Sequence, residues 1–253
     1  MTKGNFWPDD IQGAVSLTFD DGAITQLDNA VPCLDDHRLK GTFYVNPGRK
    51  QDWTDLVPRW QEVSRNGHEI GNHTTRHPCS CNFKFSREGY CLENLTLADI
   101  AETIDDATEA LDALFPEQNG NRTFCYPCYQ TYVGEGEGRE TYVPLVAKRF
   151  KTARGWGERP NFPEVVDLSY AWSWAVEGNT AEELIAYIEG ASKKGQWAII
   201  CMHGVGGQHL SIDNNAFQGL VKHLDENRHR IQTDTMINIA EYILSKRSGE
   251  QRN

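Results

Sequence analysis

Two carboxylates stand side by side at Asp20 and Asp21, in a stretch that reads LTFDDGA, just where an apolar run stops. Neighbouring like charges repel, and a helix cap or simple turn needs only one of them. In parallel α/β architectures ligands gather at the carboxyl ends of strands, so polar residues placed there carry functional weight. A second such place is GNHTTRHP, with His73 and His77 four residues apart. In a helical turn that spacing puts both imidazoles on one face, Cβ atoms about 5–6 Å apart, close enough to share one metal ion. An ordinary surface pair has the same spacing. Joined to a carboxylate from another strand end, the histidines complete a two-histidine, one-carboxylate set that leaves coordination positions open for water and substrate. A third strand end, CMHGVGG, sets His203 at the same rim, the place for a general acid; a core histidine bonded to a loop carbonyl is the ordinary alternative. His37, His68, His209, His223 and His229 lack such a setting and read as structural or solvated.

The elements that must position these groups alternate short β-type runs with longer helical patterns, which predicts βα units around a largely parallel sheet. AVSLTF (14–19), GTFYV (41–45), HEIGNH (68–73), RTFCY (122–126), VVDL (165–168), WAIICM (197–202) and RIQT (230–233) read as strands. TARGW places Arg154 at a further strand end. Between Thr96 and Phe115 an apolar stripe of Leu97, Ile100, Ala101, Ile104, Ala107, Leu111 and Leu114 predicts a helix, with Thr96 and Asp99 as a capping pair. A second helix is predicted to open at Thr180, with Glu183 as capping partner and Leu184, Ile185 and Ile188 buried. No repeat, low-complexity tract or linker divides the chain, so residues 1–253 read as one domain of about seven βα units.

The composition narrows the partners. With 39% hydrophobic and 10% aromatic residues the chain can bury a sizeable core. A formal net charge of -11 disfavours nucleic acid and anionic membranes and points to a small or neutral substrate. No stretch approaches the roughly 18 apolar residues of a membrane span. The opening MTKGNFWPDD lacks a signal peptide's basic and apolar regions, which places the chain in the cytoplasm, although a trimmed secreted chain would look the same. The seven cysteines are an odd number, and this too favours a reducing compartment. Cys79, Cys81, Cys125 and Cys128 could form a structural zinc site; alternatively they are buried thiols, or the loop of Cys79, Cys81 and Cys91 carries a disulfide.

The ordered combination TFDDG, HTTRH, YP and MHG resembles the polysaccharide deacetylase family, the NodB-like carbohydrate esterases, from about Val15 to the His203 loop. The resemblance implies a distorted (β/α) barrel with fewer than eight strands. It implies a divalent metal, commonly zinc with cobalt, nickel, manganese or iron as alternatives, held by Asp21, His73 and His77. It also implies Asp20 as catalytic base, His203 as catalytic acid, and a backbone N–H near Tyr126 as oxyanion donor. The expected reaction removes acetyl groups from N-acetylated amino sugars. The family's third motif usually carries an Arg beside the Pro to orient the base, whereas here TFCYPCYQ has Cys125 at that place. Arg154 is the expected replacement, since a guanidinium pairs well with a carboxylate.

Trp172 and Trp174, in YAWSWAVEGN, have the same parity on an extended segment and would face one way, as sugar platforms or walls around an acetyl methyl group; core packing is the alternative. Asn72 could orient a ligand from behind or serve as a turn residue. Competing functions are hydrolysis of cyclic amides on the same barrel, a ferrous oxygenase using the same ligand set, and a noncatalytic carbohydrate-binding module. The adjacent carboxylate and His203 favour hydrolysis of a carbohydrate or small amide. A monomer or homodimer is expected.

Overall fold

The computed structural model describes residues 6–8, 10–49, 51–86, 90–207 and 210–250, so His209 lies outside the described residues. Eight parallel strands make the main sheet: β1 (Gly13–Asp20), β2 (Thr42–Val45), β3 (Glu69–Asn72), β4 (Phe124–Cys125), β5 (Ala153–Arg154), β6 (Trp174–Ala175), β7 (Trp197–Met202) and β8 (Ile231–Thr233). Seven run in the order β5-β4-β3-β2-β1-β7-β6 and curl into a distorted barrel. Hydrogen bonds from Ala171 N to Ala153 O and from Gly155 N to Ala171 O, both 2.8 Å, carry the chain entering β6 against β5 and bring the two edges together. β8 stands off this path, sharing one edge of β1 with β2: it pairs along Gly13–Val15, and β2 along Thr18–Asp20.

β1 is buried along its whole length, which is why it reads as a near-continuous apolar run rather than an alternating one. Its two faces nevertheless do different work. Val15, Leu17 and Phe19 point outward with Ala198, Ile200 and Met202 of β7, and join the cluster under the helices. Ala14 points inward with Tyr44, Cys125, Trp197 and Ile199. Asp20 has the parity of Ala14, so the last residue of the strand enters the barrel. Gly71 makes room for this interior: a Cβ there would lie 2.4 Å from the Tyr44 ring.

Helices cover the outer face: α1 (Val31–Asp36), α2 (Trp53–Arg65), α3 (Leu97–Leu114), α4 (Val143–Ala147), α5 (Ala181–Ser192) and α6 (Asn214–Glu226). A further helix, α7 (Met236–Glu250), instead packs Met236, Ile239, Ala240 and Ile243 on the inward-pointing Ala14, Tyr44, Cys125 and Trp197. α3 opens on the expected Thr96/Asp99 capping box and buries Ile100, Ile104, Ala107 and Leu111 of the stripe. α5 opens on the Thr180/Glu183 box and buries Leu184 and Ile188, with Ile185 half-buried. Among the described residues no helix is long and apolar enough to cross a membrane.

The predicted strand at 165–168 does not form. Val165 is exposed, and the Asp167 side chain accepts from Ser169 N to start the short 3-10 turn Leu168–Tyr170. Local side-chain capping of this kind competes with a ladder. The strands that occupy its place in the order are β5 and β6, two residues each and too short to show a period.

The zinc expectation for the cysteines is also corrected. Cys79 bonds to Cys128 and Cys81 to Cys91, while Cys33, Cys125 and Cys201 stay free. The odd count required one unpaired thiol but said nothing about the other six.

Candidate metal centre and active-site cavity

β1 ends at Asp20, and the next two residues turn left-handed, Asp21 at φ 66° and Gly22 at φ 57°. That turn separates the two carboxylates. Asp20 stays inside the barrel, 3% exposed, while Asp21 swings out to a cavity of about 740 Å³ over the strand ends.

Around Asp20 the environment is buried and cationic. Arg154 Nη2 donates to its Oδ2 at 2.5 Å and lies 2.5 Å from Cys125 Sγ; the Arg154 side chain is fully buried. The thiols of Cys201 and Cys125 approach the same oxygen at 3.5 and 3.7 Å. The guanidinium also faces the rings of Tyr44 and Tyr129, 5.3 and 5.5 Å from their centroids. Burial would raise the Asp20 pKa, but the charge of Arg154, followed by those of His73 and His203, overrides it and holds the group at about 2. Asp20 Oδ1 is buried with no hydrogen-bond partner among the described residues, an open acceptor beside the cavity.

Around Asp21 the groups are metal ligands in type and arrangement. Its Oδ1 lies 3.9 Å from His73 Nε2, 3.5 Å from His77 Nε2 and 3.5 Å from Arg49 Nη1. The donor atoms of Asp21, His73 and His77 fall within 4.8 Å of one another. His73 Nδ1 bonds the Cys125 carbonyl at 2.9 Å, and a carbonyl can only accept, so Nε2 keeps its lone pair. Burial lowers the pKa of both imidazoles, that of His77 to about 3, with the neighbouring His73 adding to the effect there. Two neutral imidazoles and one carboxylate converging at a cavity wall fit a divalent cation with sites left open.

The histidines do not sit on a helical turn. Residues 73–77 are irregular, with Thr74 at φ 62° and His77 at φ 50°. Side chains hold this loop instead. Asn46 Nδ2 donates to the carbonyls of His73 and Thr74, Asn72 Oδ1 accepts from Thr74 N at 2.8 Å, and Thr74 Oγ1 accepts from His77 N at 2.9 Å. Asn72 is therefore a turn residue.

His203 lines the same cavity, its Nε2 4.0 Å from Asp20 Oδ2. Gln26 joins its strand end to that of Asp20: the side-chain amide Nε2 donates to the carbonyls of Asp20 and His203 at 2.6 and 2.7 Å. Of the other histidines, His68 is buried and neutral, lowered to about 4 by burial, accepting from Gly41 N and facing Asp35. His37 and His223 pair with Asp225 and Glu189.

Three expected contributors lie elsewhere. Tyr126 is fully buried; its N–H is taken by Arg154 O at 3.2 Å and its hydroxyl donates to Ser169 O. The wall beyond it is made by Cys128 and Tyr129. Trp172 and Trp174 do share a face, but an outer one: Trp172 is 45% exposed against Gly157, and Trp174 packs on Tyr187 of α5 at 4.7 Å. The inward partner is Ser173, whose small side chain leaves room for Arg154. Sequence reasoning missed Gln26, Asn46, Arg49, Tyr129 and the rim phenylalanines Phe83 and Phe85; only the cysteine spacing hinted at the Cys128–Tyr129 wall.

Residues 9–132 match the family model described as polysaccharide deacetylase. A chitin deacetylase of Arthroderma benhamiae is 32% identical over 99 residues, 38% of this chain and 25% of that protein. A chitooligosaccharide deacetylase of Rhizobium leguminosarum bv. trifolii is 40% identical over 65 residues, 25% of this chain and 29% of that protein. The matched segments thus span between a quarter and a third of these curated relatives. The fold is similar to that of the peptidoglycan deacetylase PdaC from Bacillus subtilis (TM-score 0.56, 18% identity, 97% of this chain and 98% of that one). It is also similar to a family 4 acetyl xylan esterase from Clostridium thermocellum in complex with a cobalt ion (TM-score 0.54, 21% identity, 89% of each chain).

Proposed function

We propose that this chain, which belongs to the polysaccharide deacetylase family, is a metal-dependent hydrolase that removes acetyl groups from N-acetylated amino sugars. The observation that carries the reading is the division of labour between two adjacent carboxylates: Asp21 among two imidazoles at the cavity, Asp20 behind it on a buried guanidinium. Asp21, His73 and His77 would hold the ion, zinc in first place. A divalent ion bound there supplies Lewis acidity and makes water acidic enough to react near neutral pH.

The remaining work falls to the protein. Asp20, ionised at any physiological pH, accepts the proton of the attacking water on its unpaired Oδ1, and Arg154 fixes its orientation. His203, on the other side of the carboxylate, gives a proton to the departing amine, so that the adduct breaks toward acetate rather than back to amide. A cavity of about 740 Å³ with Phe83 and Phe85 at its rim suits a carbohydrate chain better than an isolated acetamide. Chitin, chitooligosaccharide and peptidoglycan, which the relatives' names specify, are the substrates to try first.

Metal analysis of the purified protein, followed by acetate-release assays on chitooligosaccharides, peptidoglycan fragments and small cyclic imides, tests this. Asp20→Asn is expected to keep the metal and lose about 10²–10⁴-fold in turnover; His73→Ala is expected to lose both. Ring opening of an imide without acetate from any sugar would replace the substrate class, and near-normal turnover by Asp20→Asn would reject the base.

A further inference from the structure

The metal-ligand reading leaves one contact without a role. His77 Nδ1 points not at a carbonyl or carboxylate but at Cys79 Sγ, 3.5 Å away, and that sulfur is bonded to Cys128. A disulfide sulfur has no proton to give, so the imidazole must donate, with Nδ1 protonated and Nε2 left with its lone pair toward Asp21. We propose that the Cys79–Cys128 disulfide is a positioning element of the metal centre, holding His77 in its ligating tautomer and orientation as the Cys125 carbonyl holds His73.

The backbone supports the assignment. His77, Cys128 and Tyr129 all take left-handed conformations, φ 50°, 51° and 59°, which non-glycine residues adopt at a cost and keep only when neighbours fix them. The disulfide joins the two strained stretches, and both line the cavity. It therefore links a metal-side residue, His77, to a base-side one, Tyr129, whose hydroxyl meets Cys201 Sγ at 3.3 Å. The second disulfide, Cys81–Cys91, lies in the same loop with neither cysteine on a ligand, and so serves as an internal control.

The inference rests on the metal reading above, and the experiment separates the two. In the native metal-free protein, long-range proton–nitrogen NMR at pH 8 should show His77 protonated at Nδ1; protonation at Nε2 overturns the proposal, and this measurement requires neither a variant nor a metal. Zinc binding by calorimetry should then weaken about 10–100-fold in C79A/C128A. It should recover part of the loss in C79S/C128A, where a serine hydroxyl can accept in place of sulfur, and stay within about threefold of native in C81A/C91A. Native-like affinity in C79A/C128A, or no recovery with the serine, overturns the role assigned to the sulfur. Absence of zinc binding by the native protein overturns the metal reading instead, and the tautomer still decides the hydrogen bond.

Discussion

Asp20 and Asp21 are chain neighbours, and each faces an arginine, yet the two pairs are opposites. Asp20 and Arg154 meet at 2.5 Å with 4% and 0% of their side chains exposed; Asp21 and Arg49 meet at 3.5 Å with 28% and 33% exposed. The first pair is built by strands, with Asp20 ending β1 and Arg154 ending β5, so barrel geometry fixes both partners. The second is built by turns, and its carboxylate is free to exchange a guanidinium for a cation. The left-handed turn at Asp21 and Gly22 accounts for the difference. Adjacent carboxylates are tolerable, and chemically useful, because the chain turns between them and sends one into low dielectric and the other toward solvent.

The largest test of this contrast replaces the two arginines in turn. Arg154→Met leaves a buried carboxylate uncompensated and is expected to cost about 3–5 kcal/mol in denaturant unfolding. Arg49→Met breaks a partly exposed pair and is expected to cost less than about 1 kcal/mol. Without its guanidinium Asp20 is governed by burial, which raises its pKa, so the acid limb of the activity profile should move up by about 1–3 pH units in Arg154→Met. An unmoved limb would reject Arg154 as the orienting partner.

A smaller effect separates the two sides by pH. In the metal-free protein burial, then His73, holds the His77 pKa at about 3, whereas an unfolded histidine titrates near 6.5. Below about 6.5 the unfolded chain binds a proton that the folded chain refuses, so stability is complete above that pH and is lost as pH falls toward 3. Each such histidine contributes about 2 kcal/mol of loss between pH 6.5 and 5. Asp20 acts in a lower window, complete above its unfolded 3.8 and lost as pH falls through about 2. His68, at about 4, shares the upper window from elsewhere in the barrel. His77→Ala should therefore flatten, without abolishing, the decline measured by thermal unfolding between pH 7 and 5. An unchanged slope would show that His77 is not held neutral.

The same contrast explains what could be read from the sequence. Strand ends were legible because β1 and β7 are long buried runs whose last polar residues stand out, and Asp20, Asp21 and His203 followed. His73 and His77 were legible by their types and spacing although the helical turn invoked for them is an irregular loop. Arg154 was legible as a cation after an extended stretch, but β5, which carries it, and β6 have only two residues each and leave no periodic trace. The parity of Trp172 and Trp174 was right and their direction wrong, because alternation fixes which residues share a face and not which face is inside. Gln26 and Asn46 carry no pattern at all: each acts through a side-chain amide on carbonyls that only the fold brings near.

Those two amides supply the smallest and most selective test. Asn46 grips the carbonyls of His73 and Thr74 on the metal side; Gln26 grips those of Asp20 and His203 on the base side. Replacing either with alanine leaves two carbonyls without the neutral donor a buried amide gives them, at an expected cost of about 1–3 kcal/mol. The stabilities should therefore be similar and the functional losses should not. Asn46→Ala loosens the loop that aims an imidazole, so metal affinity should fall severalfold in calorimetry while the pH profile of the reloaded enzyme keeps its shape. Gln26→Ala lets the His203 strand end drift from Asp20, so turnover should fall with metal affinity unchanged. If both variants lose metal affinity alike, the carboxylates share one mechanical support, and the separation of the base side from the metal side is electrostatic only.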